Sequence, residues 1–453
     1  VFSVDEIVKA CRASLIQGDS RLKVMGIGTD SRKLNPKEAF LALKGVNNDA
    51  HDFIQESLES GVSVLIVERI PEIVIPSNVA VIKVKNTTLA LGDLARYRRQ
   101  KFVLPVIAVT GSNGKTTTKE MIARVLSSCG QVLKNEGTKN NQIGLPQALL
   151  ELSVKCDFAV VEIGTNHFGE VDYLAKIARP NIGLITNIGS SHLEFLNSLR
   201  GVLKEKSTLL DNLRKPAIAV LNADDKLLKD LISKSNNKRI IFSYGINEKS
   251  DFQAKDITIA NAKLEFKVNR KFNFTLNSLG VCNVYNALAA ISVGRILGLS
   301  YPELARKLAD FKFPKGRLNL ISLKGSNFID DTYNSNPLSF KAALSALRAV
   351  KCKGKKVLVM GDMLELGKQK ELLHRQIGRS ITNICDLLLT VGNLSRITAQ
   401  EAVKHGFKDK NIFCFDNPQQ AREFLFNKMS LGPDDFILVK GSRSMRMEEI
   451  FNI

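Results

Sequence analysis

Residues 102–118 read FVLPVIAVTGSNGKTTT: an apolar run, a glycine turn, then Lys-Thr opening a helix. That order is how a chain grips a nucleoside triphosphate. Gly111 and Gly114 permit a tight turn that aims backbone N–H groups at phosphate oxygens. Lys115 then reaches the β- and γ-phosphates, and the Thr116 hydroxyl holds Mg²⁺. The helix expected next, TTKEMIARVLSS (117–128), directs its positive dipole end at the same anion. The spacing is tighter than the usual G-x-x-x-x-G-K-[ST], because Val109 stands at the first glycine position.

Working outward, strand and helix alternate. VIAVT is followed by strands FAVVEIG, NIGLITNIG, AIAVLNAD and RIIFSYG, with helices TTLALGDLARYRRQ and EVDYLAKIA among them. The apolar runs are short, β-branched and unalternated, as in a parallel sheet buried on both faces. AKLEFKV and KFNFTL read as β-hairpins, and a long helix over 284–297 follows. Residues 86–313 are therefore expected to form a central, doubly wound, parallel-sheet domain that binds ATP. Residues 1–85 read as a small N-terminal α/β domain, with helices over 4–14 and 53–60, a strand over 39–43, and strands VSVLIVE and VAVIKV. Residues 314–453 alternate again as a C-terminal Rossmann-like α/β domain: NFIDDTYN, PLSFKAALSALRAV, KVLVMGD, KELLHRQIGRSI, DLLLTVG, IFCF, NPQQAREFLFNKM and FILVKGS.

The bulk numbers fit several soluble domains: 453 residues, 44% hydrophobic and 24% charged. No apolar run approaches a membrane span, and VFSVDEIVKA lacks the apolar core of a secretory signal. The seven cysteines are scattered and never C-x-x-C, which points to reduced thiols in a cytoplasmic protein. A net charge of +20, spread along the chain without a basic tract or a nucleic-acid motif, favours polyanionic small substrates over nucleic acid or membrane. A monomer is expected.

Ligands of open parallel sheets sit outside the carboxyl ends of the strands. Glu162 ends FAVVEIG, and His192 follows LITNIGSS, so both are expected to face the phosphate loop. Glu162 suits Mg²⁺, since hard cations prefer carboxylate oxygens. A lone histidine is more often structural. Asn286 opens a helix and reads either as an adenine contact or as a helix cap, with the spacing favouring the cap. Asp331, at a strand end, suits ribose hydroxyls, and Arg317, after the Gly316 turn, can reach a γ-phosphate.

Read in order, these pieces resemble the Mur ligase family over essentially the whole chain. The resemblance is carried by TDSR (29–32), HDFI (51–54), TGSNGKTTTK (110–119), NNQIGLP (140–146), EIGTNHFGE (162–170) and TNIGSSHLE (186–194). DDTYNSNP (330–337), GDMLELG (361–367) and KGSRSMRME (440–448) are similar to the branch that adds D-Ala-D-Ala to UDP-N-acetylmuramoyl-tripeptide. The chain departs from the family at Ala50, Thr138, Asn197 and Ser207-Thr208, none of which touches the ATP loop.

The resemblance implies roles at matching positions. Thr110, Gly111, Ser112, Asn113, Gly114, Lys115, Thr116 and Thr117 would cradle ATP, with Asn286 on adenine, Asp331 on ribose and Arg317 on the γ-phosphate. Thr116 and Glu162 would bind one Mg²⁺ and His192 a second. Lys206, which read alone is an exposed helical lysine, stands where the family carries a lysine carbamylated by CO₂, another metal ligand. Asp30, Ser31, Arg32, His51, Asp52 and Phe53 would hold the uridine end, and Asn140 and Asn141 the muramyl-peptide side. Asn334, Asn336, Asp362, Lys440 and Arg443 would complete the substrate contacts, the last three in a C-terminal wall facing D-Ala-D-Ala. The implied reaction is ATP-dependent amide formation through an acyl phosphate, with Lys115, Glu162, His192, Lys206 and Arg317 as its catalytic set. A folylpolyglutamate-synthetase-like ligase, which shares the phosphate loop, and a P-loop ATPase or regulatory protein without ligase activity are the competing readings.

Overall fold

The computed structural model describes residues 2–45, 48–233, 239–260 and 263–452. The chain packs as two compact units, one of Val1–Ala108, Gln131–Gly164 and Asp172–Pro180, the other of Val109–Gly130, Thr165–Val171 and Asn181–Ile453.

The first unit is built on a five-stranded sheet, in the order Ser14–Gln17, Ala80–Lys83, Val64–Val67, Ala39–Leu41, Ile27–Gly28. All neighbours run parallel except Ser14–Gln17, which is antiparallel to Ala80–Lys83. The period of two sorts its residues onto two covered faces. Leu41, Val64, Ile66 and Ile82 pack on one side with Leu91 and Leu94 of the helix Thr87–Gln100. Phe40, Leu65, Val67 and Val81 pack on the other with Ile54 and Val62. The helix expected over 4–14 spans Val4–Cys11, opened by a Ser3/Glu6 capping box and closed where Arg12 turns left-handed at φ 51°. The parallel pair Val132–Lys134 and Phe158–Glu162 also belongs to this unit.

In the second unit, Ile182–Ile185, Ile218–Asn222, Ile240–Gly245 and Phe252–Ala260 pair in parallel. The expected hairpins follow as antiparallel Lys263–Val268 and Phe272–Leu276. A further six-stranded sheet runs in the order Asn319–Leu323, Ser326–Asp331, Phe436–Lys440, Lys356–Gly361, Leu387–Val391, Ile412–Phe415. Only its first pair is antiparallel. Ile329, Leu358, Met360, Leu388 and Leu438 face one layer, and Phe328, Val357, Val359, Leu389 and Val439 face the other. This is the expected α/β architecture, with an element the sequence did not suggest: the helix Asn393–Lys404 between the last two strands. All seven cysteines are free, and among the described residues no helix is long and apolar enough to cross a membrane.

Candidate active site

The phosphate loop leaves the strand Val106–Thr110 and enters the helix Lys115–Leu126. Gly111 has φ +141°, and a Cβ there would stand 1.9 Å from Thr186 Oγ1, so only glycine fits. Gly114, at φ +81°, is the N-cap and offers the helix no side-chain cap. A Cβ on it would lie 2.4 Å from Asn286 Oδ1. A helix start without a capping side chain leaves its N–H groups for an anion. Lys115 Nζ lies over the turn, donating to Gly111 O at 3.0 Å.

The segment TNIGSS (186–191) holds this loop from behind. Asn113 N donates to Asn187 Oδ1 at 2.9 Å, Thr186 Oγ1 donates to Asn113 O at 2.6 Å, and Gly189 N donates to Ser112 Oγ at 2.9 Å. The strand-end position of that segment is the signal that could have found Thr186 and Asn187 as loop supports. Asn286 is not a cap. It lies inside the helix Cys282–Ile296, accepting from Thr118 Oγ1 at 3.1 Å and donating to Asn283 Oδ1 at 2.9 Å.

Two residues from beyond position 313 meet the loop. Arg317 Nη2 lies 3.5 Å from Thr116 Oγ1, and its guanidinium stacks 3.8 Å from the centroid of Tyr333. Asn336 and Asn113 form a reciprocal amide pair: Asn336 Nδ2 donates to Asn113 Oδ1 at 2.7 Å, and Asn113 Nδ2 to Asn336 Oδ1 at 3.2 Å. Asn336 Oδ1 also caps the helix Pro337–Ala349.

Asp331 and Lys440 end adjacent parallel strands and form a buried ion pair at 2.6 Å. Burial pushes the Asp331 carboxyl up, against the pull of Lys440 and Arg317. Its other oxygen accepts from Leu318 N at 3.2 Å, and Lys440 also donates to Asn334 O at 2.9 Å. Both groups thus hold the 316–335 segment in place. Asp362 is likewise buried and accepts from Ser395 N at 2.7 Å, which fixes the start of the helix Asn393–Lys404. Of the three residues expected to form a C-terminal wall, Arg443 alone is exposed, paired with Glu448 at 2.8 Å.

His192 adopts φ +52°, and its Nδ1 lies 2.8 Å from Glu365 Oε2. The ring holds the Glu365 carboxyl below its ordinary range, outweighing partial burial. The GDMLELG segment reaches the same place through Gly367, where a Cβ would lie 3.2 Å from Glu194 Cα. Lys206 corrects the reading from its residue type: on the helix Leu199–Asp211 it is 1% exposed. Its neighbour Glu205 accepts from Gly169 N at 2.7 Å and Val171 N at 2.8 Å, tying the 165–171 loop to that helix. No motif pointed to Glu205.

In the first unit, Glu162 is buried at its strand end, and Asn140 Nδ2 donates to Oε1 at 2.6 Å. Asn135 brackets the Glu162 backbone, accepting from its N at 2.8 Å and donating to its O at 3.0 Å. Asn141 Oδ1 accepts from Gly144 N at 2.9 Å, at the first residue of the helix Gly144–Leu150. Asp30 is clasped by Arg32 at 2.8 and 2.9 Å, which lowers its carboxyl pKa, and Ser31 Oγ donates to Glu56 at 3.2 Å. His51 is buried, with Nδ1 2.6 Å from Asp49 and Nε2 accepting from Glu68 N at 2.9 Å. It therefore sets the turn that presents Asp52 and Phe53, which are both exposed.

Three family descriptions match the chain in order: the Mur ligase family catalytic domain over residues 23–99, the Mur ligase middle domain over 109–294, and the Mur ligase glutamate ligase domain over 316–443. The chain is 36% identical over 431 residues to the UDP-N-acetylmuramoyl-tripeptide--D-alanyl-D-alanine ligase of Bacillus subtilis, covering 94% of this chain and 92% of that protein. Crystallised MurF from Acinetobacter baumannii is similar with a TM-score of 0.90 at 33% identity, covering 100% of this chain and 98% of that one. MurF ligase from Thermotoga maritima, solved in complex with ADP, is similar with a TM-score of 0.82 at 30% identity, covering 94% of this chain and 96% of that one.

Proposed function

The chain belongs to the Mur ligase family, and on that premise we propose that it joins D-alanyl-D-alanine to UDP-N-acetylmuramoyl-tripeptide, an ATP-dependent, ADP-forming ligation of peptidoglycan precursor synthesis. The observation that supports this most is the identity with a protein named for that reaction over nearly the full length of both chains. Relatives of that name do not favour the folate or plain ATPase readings.

The terminal carboxylate of the tripeptide attacks the γ-phosphorus, ADP leaves, and an acyl phosphate forms. The free amine of D-Ala-D-Ala attacks the acyl carbon, and the tetrahedral adduct expels phosphate. Catalysis of the first step is largely neutralisation of converging negative charge. Lys115 supplies a cation at the phosphate loop, and Arg317 supplies another over Thr116. The loop's N–H groups bind and orient the phosphates. Mg²⁺, general for the family, supplies further charge neutralisation on the phosphates when bound. The donors assigned to it are each of the type a hard cation takes: a hydroxyl, Thr116, and a carboxylate, Glu162, which Asn140 holds in one orientation. His192 turns one ring nitrogen to Glu365, the arrangement by which carboxylates orient metal-binding histidines. Residues 1–85 are assigned to the uridine end, 86–313 to ATP and 314–453 to ATP and dipeptide contacts. ATP and UDP-linked precursors are cytoplasmic metabolites, so the cytoplasm is the assigned compartment.

Phosphate release with ATP, Mg²⁺, UDP-N-acetylmuramoyl-tripeptide and D-Ala-D-Ala, omitting each in turn, is expected to need all four and to yield the UDP-pentapeptide. Release indifferent to the muramyl substrate would overturn the ligase reading, and turnover of a folate would replace it. Lys206 is assigned the carbamate, since burial at 1% exposure is foreign to an ordinary surface lysine. Lys206→Ala is expected to reduce ligation about 10²-fold, on the scale of losing one electrostatic contact. Wild-type activity should fall in CO₂-depleted buffer and return with bicarbonate. Unchanged activity without CO₂ would remove the carbamate from the mechanism.

A further inference from the structure

We propose that Tyr333 is the positioning residue of Arg317, its ring face fixing the guanidinium that meets the phosphate loop. The inference rests on the reading of Arg317 as a γ-phosphate contact. An arginine side chain is long and loses much rotamer freedom when ordered, so one held in place before the substrate arrives acts at lower cost. The Tyr333 ring supplies that hold at 3.8 Å from the guanidinium carbon, well inside cation–π range.

The backbone brings the two side chains together. Gly316 O accepts from Tyr333 N at 3.2 Å, and Gly316 N donates to Asp330 Oδ2 at 3.0 Å. Arg317 N donates to Asn319 Oδ1 at 2.9 Å, and Leu318 N to Asp331 Oδ1 at 3.2 Å. The 316–318 turn is thus pinned to 330–333 at Gly316 and Leu318, on either side of Arg317. Gly316 has φ +71°, and a Cβ there would lie 2.9 Å from Tyr333 N, so the turn and the tyrosine share one close contact. Arg443 lies 5.9 Å from the same ring but has its own partner in Glu448. The ring therefore serves Arg317. What it recognises is a planar cation, so the ring face carries the role and the phenol hydroxyl does not.

The test is steady-state kinetics on Tyr333→Phe, Tyr333→Leu, Arg317→Ala and the double variant Arg317→Ala/Tyr333→Leu, with melting curves on each. Tyr333→Phe is expected within about twofold of wild type. Tyr333→Leu is expected to lose about tenfold in kcat/KM for ATP, the scale of one desolvated cation–π contact, while KM for D-Ala-D-Ala holds. The double variant should be no slower than Arg317→Ala alone, because a positioning residue has nothing left to position. Additive losses, a Tyr333→Phe as slow as Tyr333→Leu, or a Tyr333→Leu equal to wild type would each overturn the proposal. A near-wild-type Arg317→Ala would instead overturn the γ-phosphate reading of Arg317 beneath it.

Discussion

Lys115→Ala should leave a folded protein whose ligation rate has fallen about 10³-fold. In the proposed reaction a carboxylate meets a triphosphate, and the ammonium at the first residue of the helix Lys115–Leu126 stands over the turn assigned to the phosphates. Two unit charges about 4 Å apart at an effective dielectric of about 20 interact by about 4 kcal/mol, which corresponds to about 10³ in rate. Lys115 is half-buried at a helix start, outside the buried apolar clusters, so the melting temperature should move far less than the rate. Lys115→Arg should rescue poorly, because a broad planar fork does not replace a compact point charge in so tight a turn. Phosphate-release rates and melting curves on the two variants check this. A Lys115→Ala enzyme within tenfold of wild type would remove the loop from the chemistry.

The second large effect is on stability. Lys440→Met should destabilise the C-terminal sheet by about 3–5 kcal/mol, the cost of leaving one member of a buried ion pair alone. Lys440 is 1% exposed, 2.6 Å from Asp331, whose carboxyl burial already pushes up and Lys440 pulls down. Removing the lysine removes that downward pull, so the folded state of the variant takes up a proton more readily than wild type. A carboxyl raised in the folded state contributes stability that is full below its unfolded pKa and is lost as pH rises through the folded value. The deficit of Lys440→Met relative to wild type should therefore be smaller at pH 5 than at pH 8. Urea denaturation at the two pH values reads it directly. Asp331→Asn added to Lys440→Met should recover part of the loss, since no buried charge is left stranded. A deficit that grows toward acid would mean that another group controls it.

Much of the fold was legible because its pattern is local. VIAVT, TTLALGDLARYRRQ, EVDYLAKIA, KELLHRQIGRSI and IFCF fold over the spans their apolar periodicity marks. NLSRITAQEAVK was invisible by the same test, because the helix Asn393–Lys404 buries Ser395, Thr398 and Glu401 beside two alanines, a face with no apolar stripe. The helix Tyr301–Ala309 did announce itself through the Ser300/Glu303 capping box and Pro302, a signal present but unused. In the site, the turn and Lys-Thr pair were readable because glycine geometry is written in the chain itself. Tyr333 on Arg317, Asn336 on Asn113 and Glu205 on the 165–171 loop were not, since each contact joins residues far apart in sequence. The burial of Lys206 and His51 was hidden for the opposite reason. Residue type says exposed, and only the packed structure says otherwise.

The reciprocal amides of Asn113 and Asn336 also bear on how the protein ages. Asn113 precedes Gly114, a step at which the unhindered glycine nitrogen can close on the side-chain amide carbon and expel ammonia, leaving a cyclic imide that water opens to a carboxylate, the thermolabile side of asparagine chemistry. Both polar atoms of that side chain are tied to Asn336, at 2.7 and 3.2 Å, and so are held to a partner instead of turning onto the backbone. The pairing thus shelters the loop from its own sequence. Once the amide is lost, an oxygen would face Asn336 Oδ1 where a donor now sits, and new negative charge would stand in the phosphate cradle. Shelf life and nucleotide affinity would fail together, by one chemical event at one residue.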